Sequence, residues 1–217
     1  MRTWLILAWW GLATAGWAAE QDQAQGSVVR VRAAIQPYDQ FRPWQKKAPY
    51  GLNGTGVVLS GEKVLVTANL VANRTEVGLE KPGSAEKCAA EVEAIDYEAN
   101  LALLRPEKAE FLKSFKGLVL GPALKAGDTA EVWQLERNGE LLRNQAEILT
   151  VGVGRYPNDE AGFLQYGVRV SLPKRDDSYT LPLIRQNQLV GMVMMYDRDS
   201  QEGTVIPGPM IEQIGRA

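Results

Sequence analysis

From residue 27 onward, almost every readable segment alternates apolar and polar side chains with a period of two, and this rhythm points the chain to extended structure. Val29, Val31 and Ala33 alternate with Arg30 and Arg32; Ala90, Val92 and Ala94 with Glu91 and Glu93; Leu164, Tyr166, Val168 and Val170 with Gln165, Gly167, Arg169 and Ser171. A period of two sends neighbouring side chains to opposite faces, so each segment reads as a strand with one buried face. Gly56 to Leu59, Val64 to Ala68, Leu101 to Leu104, Thr129 to Leu135, Glu140 to Gln145, Ala146 to Val151, Gln188 to Tyr196 and Thr204 to Ile206 are further strand candidates. Ser60-Gly61, Pro82-Gly83, Gly121-Pro122, Arg137-Asn138-Gly139 and Pro157-Asn158 mark turns between them, and Asn138-Gly139 predicts a tight hairpin. Short helices are expected only over Glu107 to Phe115 and Met210 to Ile214. Many short strands separated by turns predict an all-β barrel or sandwich, with a seam near Phe115 to Ala126 dividing the strands into two halves.

Composition narrows the chemistry. The 217 residues include no histidine, so triad hydrolysis and His-ligated zinc chemistry have no imidazole to use. Cys88 is the single cysteine, which excludes an internal disulfide and any cysteine-built metal framework; its neighbours Ala89, Ala90 and Val92 predict a packed, inert thiol. A net charge of -2, from 24 Lys+Arg against 26 Asp+Glu, gives no electrostatic footprint for nucleic acid.

Residues 1–19 follow Arg2 with the apolar run Trp4 to Leu12 and the small residues Ala13 to Ala19. The run is shorter than the ~20 residues that cross a bilayer, and the layout is that of a signal peptide cleaved between Ala15 and Glu20. The expectation is an exported protein, periplasmic or secreted, with no membrane span after cleavage. Residues 20–26 form a polar linker.

The order of segments resembles the trypsin-like (chymotrypsin-fold) domain of HtrA/Deg serine proteases. Gly54-Thr55-Gly56-Val57-Val58-Leu59 resembles that family's Gly-Ser-Gly-apolar strand. Val64-Leu65-Val66-Thr67-Ala68-Asn69-Leu70-Val71 resembles the strand and turn carrying the catalytic histidine, with Leu70 at that position. Asn100-Leu101-Ala102-Leu103-Leu104 resembles Asp-Leu-Ala-Val-Leu, with Asn100 where the family has aspartate. Asp177-Ser178-Tyr179-Thr180-Leu181-Pro182 stands where the family has Gly-Asn-Ser-Gly-Gly-Pro, which places Tyr179, or Ser178 after a slip of one residue, at the nucleophile. The resemblance implies two six-stranded antiparallel β-barrels, over residues 27–116 and 117–217, the second ending in a short helix, with no PDZ extension.

Serine becomes a nucleophile when a base takes its proton, and in the family that base is an imidazole held by a carboxylate. With Leu70, Asn100, and Tyr179 or Ser178 at the three positions, the expectation is a degenerate triad in a pseudoprotease that is not an enzyme and uses no cofactor or metal. Such a protein would bind a protein or peptide in the groove between barrels, or partner a related active protease. The resemblance puts the peptide-pairing edge at Met194, Met195 and Tyr196, and strand addition needs no catalytic group. Two alternatives stand beside it: a serine hydrolase using Ser178 with Lys174 as base, and a β-sandwich recognition module unrelated to proteases. Asp176-Asp177 reads as a solvated pair, and Asp197 to Glu202 as a polar hairpin turn lacking the full calcium-loop pattern. The oligomeric state has no signature in the sequence.

Overall fold

Twelve strands close into two separate barrels in the computed structural model, which describes residues 26–60, 62–156, 162–173 and 180–214. The first comprises β1 (Val28–Ile35), β2 (Tyr50–Leu59), β3 (Lys63–Val66), β4 (Arg74–Glu80), β5 (Lys87–Asp96) and β6 (Leu101–Pro106), hydrogen-bonded in the order β1-β2-β3-β6-β5-β4. The second comprises β7 (Thr129–Leu135), β8 (Leu141–Arg155), β9 (Gly162–Val170), β10 (Leu181–Arg185), β11 (Gln188–Asp197) and β12 (Glu202–Pro207), in the order β10-β11-β12-β9-β8-β7. Helix α1 (Ala68–Val71) follows β3, a 3₁₀ turn spans Ala109–Leu112, and α2 (Gly208–Ile214) follows β12. Two closed antiparallel barrels are the expected fold, and they displace the β-sandwich alternative.

Alternation sorts side chains between three cores. Val29, Val31, Ala33 and Ile35 from β1 fill the first barrel with Val64, Val66, Leu79 and Leu104. Val132, Ile148, Tyr166, Val168 and Val205 fill the second. Between them lies a third core in which Val57, Leu65 and Leu101 of the first barrel meet Trp133, Leu135, Met192, Met194 and Ile206 of the second, with Ile211 and Ile214 of α2. Ladder fragments also cross the seam: Leu59 bridges Leu118, and Leu120 bridges Leu189. The Leu135 N–H donates to Thr55 Oγ1 at 3.2 Å, and the Arg30 guanidinium donates to the Glu136 carbonyl. Cys88 is buried in the first barrel.

The local differences have local causes. The two strands expected over Glu140 to Val151 are one, β8, which leaves β7 at Glu147 and pairs with β9 from Ala146 onward, shifting register between Ile148 and Thr150. A bulge of this kind breaks alternation in sequence without ending the strand. The helix expected over Glu107 to Phe115 shrinks to one 3₁₀ turn. At the Asn138-Gly139 hairpin the Glu136 N–H donates to the Glu140 carbonyl at 2.8 Å, enclosing a three-residue loop. Gly139 there has φ +88°, and a Cβ would lie 2.4 Å from the Gly83 nitrogen, so only glycine fits. Residues 1–19, expected to be a signal peptide, and nearly all of the expected polar linker lie outside the described residues.

Candidate functional site

Asn100 organises the first-barrel side of the seam. It sits between β5 and β6 at φ +54°, a left-handed conformation that asparagine tolerates better than most residues. Its carbonyl accepts from the Ala68 N–H at 3.1 Å and its Oδ1 from the Asn69 N–H at 3.0 Å, which pins the first turn of α1. The side chain is fully buried, and Nδ2 has no hydrogen-bond partner among the described residues. The same turn carries Leu70 inward, where it is 1% exposed.

The second barrel reaches this point through Thr180, the residue before β10. Thr180 is fully buried, and its Oγ1 accepts from the Thr67 N–H at 3.1 Å. Gly54 of β2 makes room for the contact: a Cβ there would lie 2.1 Å from Thr180 Cγ2 and 2.9 Å from Leu70 Cδ2. Leu70 and Asn100 are thus joined through α1, and the end of the loop expected to carry the nucleophile is anchored against them. Ser178, Tyr179 and Lys174, and the pair Asp176-Asp177, lie outside the described residues. Sequence reasoning named Leu70 and Asn100, and placed Gly54 and Thr180 in family-like motifs, but missed that those two meet; the signal was a small residue in β2 facing a residue far away in sequence.

The other wall is β11. Its pairing with β10 ends at Leu181 opposite Val193, whereas its pairing with β12 continues through Met195 opposite Thr204 and Asp197 opposite Glu202. Among the described residues, no strand is registered against Met194 and Met195 on the side away from β12. Met194 belongs to the core between barrels at 4% exposed, while Met195 is 46% exposed. The Tyr196 hydroxyl donates to the Val170 carbonyl at 2.9 Å and accepts from the Leu172 N–H at 3.2 Å, tying β11 to the segment after β9. On its β12 side, a groove of about 520 Å³ crosses the second barrel alone, from Met195 and Tyr196 past Gly203 and Gly167 to Thr150.

Asp197 belongs to a turn. Its Oδ1 accepts from the Asp199 N–H at 3.0 Å, and that bond, helped by Ser200, holds the carboxyl below the usual aspartate range. Among the described residues, no group of three or more His, Cys, Asp or Glu side chains is placed to hold a metal.

Two six-stranded barrels packed across a seam that gathers Leu70, Asn100 and Thr180 have the fold of a trypsin-like protease domain. The chain is homologous to the Do-like (HtrA) proteases and carries their barrel domain. It is 30% identical to the Arabidopsis thaliana protein named "Putative protease Do-like 3, mitochondrial" over 88% of this chain and 34% of the relative. It is 26% identical to "Protease Do-like 4, mitochondrial" from the same plant, over 88% of this chain and 37% of that one. The chain therefore spans about a third of the length of these relatives. No family model matches. Among solved structures, the active form of the Rv3671c protease of M. tuberculosis superposes with a TM-score of 0.71 at 22% identity, over 99% of this chain and 90% of that one. The HtrA-type protease AlgW gives 0.67 at 14% identity, over 90% of this chain and 66% of that one.

These comparisons overturn the expectation that the chain is not an enzyme, because relatives covering most of it bear the names of proteases and the fold is that of an active protease. The physical flaw lay in the scope of the inference. Lack of imidazole removes one way of activating serine, while lysine and carboxylate bases remain available to a hydrolase. Among the described residues, no helix is long and apolar enough to cross a membrane.

Proposed function

We propose that this domain holds an extended segment of a protein or peptide along the edge of β11 that faces away from β12, at Met194, Met195 and Tyr196. The observation that carries the reading is the early end of the β10 ladder at Val193, which, among the described residues, leaves the stretch at Met194 and Met195 with a strand on its β12 side only. A strand added there gains main-chain hydrogen bonds, and the flexible, half-exposed Met195 adapts to varied side chains. Neither contribution needs a group at position 70, so a related protease is as suitable a partner as a free peptide. Titrating fluorescein-labelled unfolded casein with the chain and following anisotropy tests it. Binding that weakens on Met195→Arg supports the reading; equal binding by both proteins removes β11 from it.

A second reading, hydrolysis of the held segment, is favoured by the relatives' names. Ser178 would supply the nucleophile and Lys174 the base, a role that requires the lysine to be desolvated and neutral. Release of acid-soluble fluorescein from the same casein, lost on Ser178→Ala, supports hydrolysis. No release leaves binding alone. Residues 1–19 would act as an export signal, which sequencing the N-terminus of the protein isolated from its producing cell tests: a start between Ala15 and Glu20 supports it, and a start at Met1 contradicts it.

A further inference from the structure

The connection between β1 and β2 is a small hairpin built to present aromatic rings to the outside. The Tyr38 and Lys46 backbones form an isolated bridge, the Asp39 N–H donates to the Gln45 carbonyl at 2.8 Å, and the Lys47 N–H to the Pro37 carbonyl at 2.9 Å. At the tip, the Gln45 N–H donates to the Arg42 carbonyl at 2.8 Å, closing a four-residue turn with Pro43 in its second place, where a fixed φ favours turning. Asp39 Oδ1 accepts from the Phe41 and Arg42 N–H groups at 2.8 and 3.1 Å, so the loop is held by its own bonds.

Such order normally accompanies packing, yet residues 41–50 are all exposed. Phe41 is 93% exposed and Trp44 78%, with Tyr38 at 58% and Tyr50 at 51% behind them. Around the rings stand Arg42, Lys46 and Lys47, with Lys46 Nζ 5.4 Å from the centre of the Tyr38 ring. Three cations against Asp39 alone give the hairpin +2, on a chain whose total is -2. Asp39 Oδ1 is engaged by the turn, while Arg42, Lys46 and Lys47 are exposed, as the rings are.

We propose that this hairpin docks the domain onto an anionic lipid surface, with Phe41 and Trp44 entering the headgroup region and Arg42, Lys46 and Lys47 meeting lipid phosphates. The indole of Trp44, apolar with one N–H, favours the boundary between water and hydrocarbon, Phe41 adds apolar area beside it, and basic residues add attraction to anionic lipid. A soft interface suits two rings carried on a turn, because it needs no matching cavity. The charge sign selects the lipid, since a neutral membrane would gain nothing from three cations. The occupant is independent of the groove at β11, which lies in the other barrel.

The test uses the full chain and a probe that reports only on the hairpin, since the apolar residues 4–12 would bring any variant to a membrane. An environment-sensitive nitrobenzoxadiazole label is placed at Gln40→Cys, or at the exposed Glu147→Cys of β8, each with Cys88→Ala. With vesicles of phosphatidylglycerol and phosphatidylcholine the label at 40 shifts to the blue and the label at 147 does not; pure phosphatidylcholine moves neither. Lys46→Gln with Lys47→Gln lowers the ratio of shifted to unshifted label at saturating anionic lipid by roughly 30-fold, from two basic contacts removed. Phe41→Ser with Trp44→Ser abolishes the shift, while circular dichroism keeps its β signature in both variants. No shift at position 40 on anionic vesicles, or an equal shift on neutral ones, overturns the proposal. So does a shift that grows with protein concentration in the absence of lipid, which would assign the hairpin to a second copy of the chain.

Discussion

Gly54→Ala asks whether the seam is packed as tightly as its distances say. The added methyl would stand 2.1 Å from Thr180 Cγ2 and 2.9 Å from Leu70 Cδ2. Thr180 cannot step aside freely, because its Oγ1 holds the Thr67 N–H. Overpacking of a buried site costs about 1–3 kcal/mol, a fall in Tm of roughly 2–4 °C for each of them in a domain of this size. Thr180→Ser removes the clashing methyl and keeps the hydroxyl, at about 1 kcal/mol on its own. Joined to Gly54→Ala, it restores room, so the double variant is more stable than the sum of the single losses by about 1–2 kcal/mol. Thr180→Val is the control: it keeps the methyl, strands the Thr67 N–H at a cost of about 1–3 kcal/mol, and leaves the clash in place. Urea unfolding followed by far-ultraviolet circular dichroism reads the parent, the three single variants, and Gly54→Ala combined with each Thr180 variant. A neutral Gly54→Ala, or losses that add for both Thr180 variants, would refute the packing argument.

Asn100→Ala forfeits both the Asn69 N–H acceptor and the residue's tolerance of φ +54°, so it costs about 2–4 kcal/mol, whereas Asn100→Gly keeps the backbone and costs less, an order that urea midpoints will show. Tyr196→Phe loses its hydroxyl bonds to Val170 and Leu172, about 1 kcal/mol or more, and hydrogen exchange at the Leu172 amide should quicken. Asp128 is held below its ordinary value of 3.8 first by the Lys125 N–H at 2.8 Å and then by Arg185 at 3.2 Å. A lowered folded value stabilises above the unfolded value and is lost as pH falls through the folded one. Asp128→Asn should therefore be less stable than the parent above pH 3.8 and approach it in more acid solution, as thermal melts across pH will show.

Strands with one wet face and several alternations, such as β1 and β9, were legible because burial leaves every second residue polar; β4 went unlisted because only Val77 and Leu79 of its seven residues are buried. β10 was not visible on these grounds, since Leu181 to Ile184 are all buried and no alternation survives. β8 hid its continuity in the register shift at Ile148/Thr150. At the site, Leu70 and Asn100 could be placed from local motifs, each lying beside an apolar strand of unbroken pattern. Gly54 and Thr180 could not, because they touch across 126 positions of chain and share only a fit of shapes. The enzyme question failed for a different reason: a missing residue type constrains one mechanism, while the comparisons bear on the ancestry of the whole domain. Phe41 and Trp44 illustrate the converse, since aromatic residues in a polar loop read as ordinary sequence until their exposure is known.

The most direct test of the account is the affinity of fluorescein-labelled unfolded casein for the chain and for Met195→Arg, with urea midpoints recorded for both. Met195 is 46% exposed, so the substitution should leave stability within about 0.5 kcal/mol while weakening binding by about tenfold or more. Casein bound equally by both proteins would contradict a polypeptide site on β11.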